Sequence, residues 1–476
     1  MTTPKNTIHS HIPGFPRIGV ARELKFALEA NWRGELSDAQ LETVGRDLRA
    51  RHWALQQQAG LDFVTVGDFA YYDQVANHIQ LLGCEPARYG FSAEQSQLSR
   101  YFTMARGNSS AQHDHASCGH DHSTDGDLHA SAALEMTKWF DTNYHYLVPE
   151  FTPETAFSLA CERLFDEVAE AQALGHAVKA VLLGPLSFLW LGKTKTAAGA
   201  DSFDRLALLD KLLPVYGQLL DRLKAQGVQW VQVDEPILGL DLPAPWRGAF
   251  ENTYWQLNQV GVPLLLATYF SPLEENLSLA CRLPVAGLHV DGVRAPQELT
   301  SIADWLPVHK VLSVGIVDGR NIWRTDLDAA LAVLAPIVEK RAGKLWLSSS
   351  CSLLHVPFTL AAETALDGEI RSWLAFATEK LDELYVLKRA LQGEYDAATS
   401  AALDRSRNAL ANRRASARVH QAAVRSRIDA LPADADQRRS GFAQRQAEQR
   451  SRFKLPAFPT TTIGCLLYTS PSPRDS

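Results

Sequence analysis

The chain has 476 residues, of which 46% are hydrophobic and 21% charged, and its formal net charge is −7. Such a composition buries a large core and excludes wholesale disorder, while the acidic balance excludes a generally basic nucleic-acid binder. An anionic ligand therefore has to be met by a few placed cations. Cys84, Cys118, Cys161, Cys281, Cys351 and Cys465 lie far apart with no CxxC, which predicts a reducing compartment and no disulfide framework. The N-terminus has no apolar core of the kind a signal peptide needs. The longest apolar run, Ala177 to Gly192, is broken by Lys179, Gly184 and Pro185, which predicts a buried strand and its loop, not a membrane span. A cytoplasmic protein without membrane or nucleic-acid partners is expected.

In chain order, strands are predicted at Phe15–Gly19, Phe63–Phe69, Val178–Gly184, Trp230–Asp234, Leu264–Tyr269, Gly287–Val293, Leu312–Val317 and Leu345–Ser350. Several are near-continuous apolar runs, as in parallel strands covered on both faces. Amphipathic stretches such as Ala39–Gln58, Pro153–Ala173 and Phe203–Ala225 separate them. Gln58–Asp68 and Ala225–Asp234 resemble each other: a helix end, a glycine, a strand, then an acid. Eight strand–helix alternations predict an α/β protein, a (β/α)8 TIM-type barrel with a helical C-terminal connector. Three stretches break the pattern: the His-rich 107–130, the Arg-rich Asp404–Lys454 and the Pro-interrupted Cys465–Ser476.

In such a barrel the chemistry sits at the C-terminal strand ends. Those ends offer Arg17, Asp68, Asp234, Glu235, His289, Asp291, Asp318, Ser350 and Cys351. Each also suits a structural role as a helix cap or loop anchor, and both readings stand. In Gly14–Lys25, Arg22 and Lys25 fall on one face of a first helical turn, where cations oppose the helix dipole. Either Glu23 neutralises one of them, or they join the helix amides in holding an anion. Glu135–Tyr146 crowds aromatics around Lys138 and Asn143. It is either a core corner with Lys138 reaching outward, or a cradle for a flat polar heterocycle with an acidic tail. His113, His115, His120 and His122 flank Cys118 and have chelating chemistry, but their spacing matches no closed site, so the stretch is either a site of metal capture, adventitious or physiological, or a tolerated loop insertion. The twelve arginines of Asp404–Lys454 have only Phe442 and Phe453 among them, which favours solvated helices over a nucleic-acid platform.

Gly14-Phe-Pro-Arg-Ile-Gly19, Arg22-Glu-Leu-Lys25, Glu135–His145 and Val233-Asp-Glu-Pro236 resemble the cobalamin-independent methionine synthase family. So do Gly319–Trp323, Ser349–His355 and Phe458–Gly464, and the resemblance runs nearly continuously from residue 12 to 464. It implies methyl transfer from 5-methyltetrahydropteroyltri-L-glutamate to L-homocysteine, giving L-methionine without cobalamin. It further implies folate contacts at Arg22, Glu23, Leu24, Lys25, Lys138 and Asn143, and homocysteine contacts at Ile463 and Gly464. The family's catalytic zinc and its ligands belong to a second, C-terminal barrel, so no catalytic residue and no zinc ligand are expected here. The implied organisation is a folate-binding barrel over 1–395, a connector over 396–458, the start of the second barrel at 459–464, and a non-native tail over 465–476. This chain is then a fragment, inactive alone, that needs the C-terminal barrel in cis. A stand-alone folate- or metal-binding barrel, and an independent barrel enzyme, are the alternatives.

Overall fold

The computed structural model describes residues 7–92, 94–107, 132–195, 203–341 and 343–460. His113, His115, His120 and His122, and likewise Ile463, Gly464 and Cys465, lie outside the described residues.

Eight strands form one parallel sheet: β1 (His9–Ser10), β2 (Val64–Val66), β3 (Val178–Leu183), β4 (Trp230–Asp234), β5 (Leu264–Ala267), β6 (Gly287–Asp291), β7 (Val311–Val317) and β8 (Leu345–Ser349). From β2 to β8 each strand pairs with the next in sequence, and β1 pairs with β8 through His9↔Trp346 and Ser10↔Leu347. Asp62 closes the seam between β1 and β2. Its amide donates to the Ser10 carbonyl at 3.0 Å, and its carboxylate accepts from the Ser10 amide at 2.7 Å. Rings from opposite strands meet across the interior: Trp230 on β4 and Trp346 on β8 have centroids 4.6 Å apart. The fold is thus an α/β barrel of the (β/α)8 TIM type, as the alternation predicted.

The interior is layered. Phe63, Trp230, Leu265, Val311 and Trp346 form an apolar floor. Above it the filling is polar. Buried Lys179 donates to Gln232 Oε1, and the His11 and His289 rings meet Ser313 Oγ at 2.7 and 2.9 Å. This polarity explains a correction. The first strand is His9–Ser10, not Phe15–Gly19. Pro16 has no N–H to give to a ladder, so the predicted segment becomes a loop. The true strand was inconspicuous because His11 and Ser10 are buried among polar partners rather than apolar ones.

The helices follow local signals. Asp38–Gln58 starts at a capping box, with Ser37 and Gln40 exchanging hydrogen bonds. The helix expected over Pro153–Ala173 begins only at Arg163. The preceding residues are held otherwise, because the Ser158 and Ala160 amides donate to the carbonyls of Leu82 and Leu81 at the end of helix Gln74–Leu81. The helix expected from Phe203 begins at Leu209, after a tight turn at Arg205–Leu208.

The chain divides into two compact units, Met1–Ala411 and Asn412–Ser476. The first runs past residue 395 because helix Ala397–Ala415 docks by Leu403 and Ala409, with Ser406 Oγ donating to the Thr325 carbonyl at 3.0 Å. In the second, helices Ala422–Asp429 and Phe442–Phe453 bury no side chain.

Candidate functional site

Two groups of residues face the C-terminal end of the barrel. The first is the set of strand ends. Asp234 accepts from Gln232 Nε2 at 2.7 Å and from the Tyr269 hydroxyl at 3.0 Å. Glu235 accepts from the Ser187 amide and hydroxyl at 2.8 and 2.5 Å, the Leu186 amide at 3.2 Å and the Tyr254 hydroxyl at 3.1 Å. It thereby caps helix Pro185–Leu191, and Gly184 leaves the room it needs, since a Cβ there would collide with the Glu235 carboxylate. Asp291 accepts from the amides of Phe270, Val293 and Arg294. Asp68 accepts from the Phe15 amide at 2.7 Å and Asp318 from the Arg320 amide at 2.8 Å. These acids therefore hold loops and caps.

Burial sets their protonation. It pushes Asp68 and Asp291 up to about 6 and Glu235 up to about 7, against the donors that favour the anion. Burial likewise raises Asp234 and lowers its neighbour Lys179. It pulls His289 down to about 3, so that ring is neutral. Cys84, Cys161, Cys281 and Cys351 are all buried and raised by burial, so none is a thiolate at neutral pH. Among the described residues no group of three or more His, Cys, Asp or Glu side chains is placed to hold a metal ion.

The second group lies on loops above the strand ends. After β1 the chain turns at Gly19 (φ 81°), where a Cβ would come within 2.8 Å of Leu48 Cδ2. Arg22 then takes a left-handed conformation (φ 61°) as the N-cap of helix Glu23–Trp32. Glu23 does not neutralise Arg22 or Lys25. Its carboxylate accepts from the Ala21 amide at 2.9 Å and from Arg51 at 3.0 Å. Partial burial raises its pKa, but its own amide, Arg51 and the Ala21 amide together hold it below the usual carboxylate range. Leu24 is buried, and its amide donates to the Ile18 carbonyl. With the Ala21 and Leu24 amides engaged, any anion here is met mainly by side chains. Arg22 is exposed, and Lys25 pairs with half-exposed Glu29 at 3.5 Å and lies 5.9 Å from the centre of the Phe26 ring.

The other loop is a two-stranded antiparallel ribbon, Met136–Lys138 against His145–Leu147, inserted between β2 and β3. Lys138 and Asn143 are exposed on it, while Trp139 between them is buried. The ribbon's turn lies over the barrel mouth. Phe140 meets Phe270, the loop after β5, with centroids 5.8 Å apart, and Arg320, after β7, donates to Asp141 at 2.9 Å. The Tyr144 hydroxyl donates to Asp73 at 2.9 Å. The Arg17 guanidinium lies 6.0 Å from the centre of the Tyr144 ring and so links the two loops. Burial, with Arg320 nearby, pulls His355 beside Tyr144 down to about 4.

The structure thus brings Arg17, His355, Arg320 and the Lys138 ribbon together at the mouth. Arg22 and Lys25 stand on the helix that follows the Arg17 loop. Sequence reasoning had missed Lys179, whose signal was a lone lysine inside an apolar strand. It had also missed the Asp73–Tyr144 contact, for which no local signal exists.

A TIM-type barrel with accessible cations on two elements at its C-terminal mouth is the class of fold. More particularly, the family model "Cobalamin-independent synthase, N-terminal domain" matches residues 9–342, and the chain belongs to that family. Among solved structures, a putative vitamin-B12 independent methionine synthase from Listeria monocytogenes is similar at 13% identity, over 82% of this chain and 100% of that one, with a TM-score of 0.51. A B12-independent methionine synthase from Shewanella sp. W3-18-1, in complex with selenomethionine, is similar at 15% identity, over 76% and 91%, with a TM-score of 0.50. At these identities the likeness is one of fold.

Proposed function

We propose that this barrel is the folate-binding part of a cobalamin-independent methionine synthase, with 5-methyltetrahydropteroyltri-L-glutamate as methyl donor and L-homocysteine as acceptor. The observation that carries the reading is the pair of cationic loops at one barrel mouth. Arg22 and Lys25 stand at the start of the helix that follows one and Lys138 on the other, none tied up in a buried ion pair. A ligand tail bearing several carboxylates fits cations spread over two loops better than one compact anion does. Asn143 adds an exposed amide that both donates and accepts. Glu23 and Leu24 contribute differently. Glu23 fixes the helix start through Ala21 and Arg51, and Leu24 anchors it in the core.

Methyl transfer also needs an activated thiol. The described cysteines are buried thiols, and among the described residues no group of His, Cys, Asp or Glu side chains fits a zinc site. We infer that thiol activation is the work of a separate zinc-bearing barrel, as the family resemblance implies, and that this chain by itself does not turn over. A cytoplasmic location accords with the family and with the absence, among the described residues, of a helix long and apolar enough to cross a membrane.

The test is calorimetric titration of the chain with the tri- and monoglutamyl forms of 5-methyltetrahydrofolate. The triglutamate is expected to bind more tightly, and Lys25→Ala and Lys138→Ala to remove the difference. Equal affinity for the two forms, or no effect of either substitution, overturns the reading.

A further inference from the structure

Lys138 and Asn143 are exposed, yet the turn that carries them is held from several sides. Within the turn, the Trp139 amide donates to the Tyr144 carbonyl at 2.7 Å, and Thr142 Oγ1 donates to the Trp139 carbonyl at 2.7 Å. Outward, three anchors reach separate barrel loops. Arg320 donates to both the Asp141 carboxylate and its carbonyl, at 2.9 and 3.2 Å, while its guanidinium lies 5.1 Å from the Phe270 ring centre. The Tyr144 hydroxyl donates to Asp73, whose other carboxylate oxygen accepts from the Leu147 amide at 3.1 Å on the far side of the ribbon. Phe140 packs on Phe270, and both are non-glycine residues in left-handed backbone, φ 52° and 79°. Such conformations persist only where surrounding contacts over-determine them.

We propose that Arg320, Asp141, Asp73 and Tyr144 are positioning residues that lock the ribbon to the barrel mouth, so that Lys138 and Asn143 meet a polyanionic tail from a fixed base. This rests on the folate reading above and deepens it. A lysine loses considerable side-chain freedom when it binds, and a mobile base would add backbone disorder to that cost. The asymmetry of the Arg320–Asp141 pair points the same way. Arg320 is 13% exposed and Asp141 68% exposed, so the fixed partner is the one on the barrel and the held partner is the one on the ribbon. None of the four side chains needs to touch the ligand for this role.

Two measurements on the full chain test it: amide hydrogen exchange over residues 136–147, and affinity for 5-methyltetrahydropteroyltriglutamate. Arg320→Gln and Tyr144→Phe are each expected to raise exchange in the ribbon while leaving the barrel strands protected. Each is expected to weaken triglutamate binding roughly three- to tenfold. In a background carrying both Lys138→Ala and Asn143→Ala neither is expected to cost further affinity, and Arg320→Lys is expected to restore part of the loss. Unchanged ribbon exchange in both variants overturns the lock. So does a full affinity loss that persists without Lys138 and Asn143, because the residues then act by another route. If exchange rises as expected but the wild-type chain binds no triglutamate, the folate reading falls and with it the role assigned to the lock. That outcome is distinguishable because the mechanical half survives.

Discussion

The strand ends and the elements just above them both carry polar and charged residues, yet use them in opposite ways. At the strand ends, Glu235 receives four donors and Asp291 three, all from the protein itself. Burial drives these acids toward neutrality and the histidines away from charge. On the loops, Arg22, Lys25, Lys138 and Asn143 stay in contact with solvent, and the cations lack strong internal partners. The difference separates polar groups that the fold has filled from those it leaves accessible. A polar group whose valences are filled by the fold is structural, whatever its position in a barrel. A charge kept accessible on a rigid base is available to a ligand.

The largest effect that sharpens this contrast is expected at Glu235. Glu235→Ala leaves buried donors from Leu186, Ser187 and Tyr254 unmatched and is expected to cost about 3–5 kcal/mol, read as a fall in the urea midpoint. A change below about 1 kcal/mol would mean that the strand-end acids are not structural.

The next concerns pH. The Leu183 amide donates to His78 Nε2 at 2.9 Å, so the ring proton sits on Nδ1 and is donated to the Gln74 carbonyl at 2.8 Å. Burial lowers this pKa from 6.5 to about 4. A depressed histidine pKa means stability that is fully present above pH 6.5 and lost as pH falls toward 4. It amounts to about 3 kcal/mol by pH 4. His78→Leu, although less stable at neutral pH, is expected to show a correspondingly shallower acid loss in denaturation series between pH 7 and 4. An identical slope removes the claim.

The smallest effects on stability are expected on the loops. Lys25→Ala and Lys138→Ala should leave thermal midpoints within experimental error of wild type, because each side chain is exposed or weakly paired. Each should nevertheless weaken triglutamate binding about tenfold, which is roughly what one charge-assisted contact contributes. A destabilised Lys138→Ala would erase the distinction between the two regions.

Much of this was legible in the sequence, for a physical reason. Seven of the eight strands were apolar runs ending in small or polar residues, a pattern that strand burial enforces directly, as in Val178–Leu183 and Gly287–Asp291. Arg22, Lys25, Lys138 and Asn143 stood out as local clusters; the first two lie at the start of helix Glu23–Trp32 and the other two on the ribbon. The first strand was misplaced because His11 owes its burial to Ser313, 302 positions away. The choice between cap and ligand for Asp234, Glu235 and Asp291 was equally illegible, because it depends on what arrives from other loops.

The sequence by itself therefore determined the repeating strand–helix unit, the cationic character of two loops and the family. Those are properties of short segments and their composition. The tertiary structure decided which polar groups are filled and which are left available. It bound Glu23 to Arg51 rather than to Lys25, engaged the Ala21 and Leu24 amides, and set the ribbon against Arg320 and Asp73. Those decisions join residues far apart in the chain, and only the closed barrel brings them within hydrogen-bonding distance.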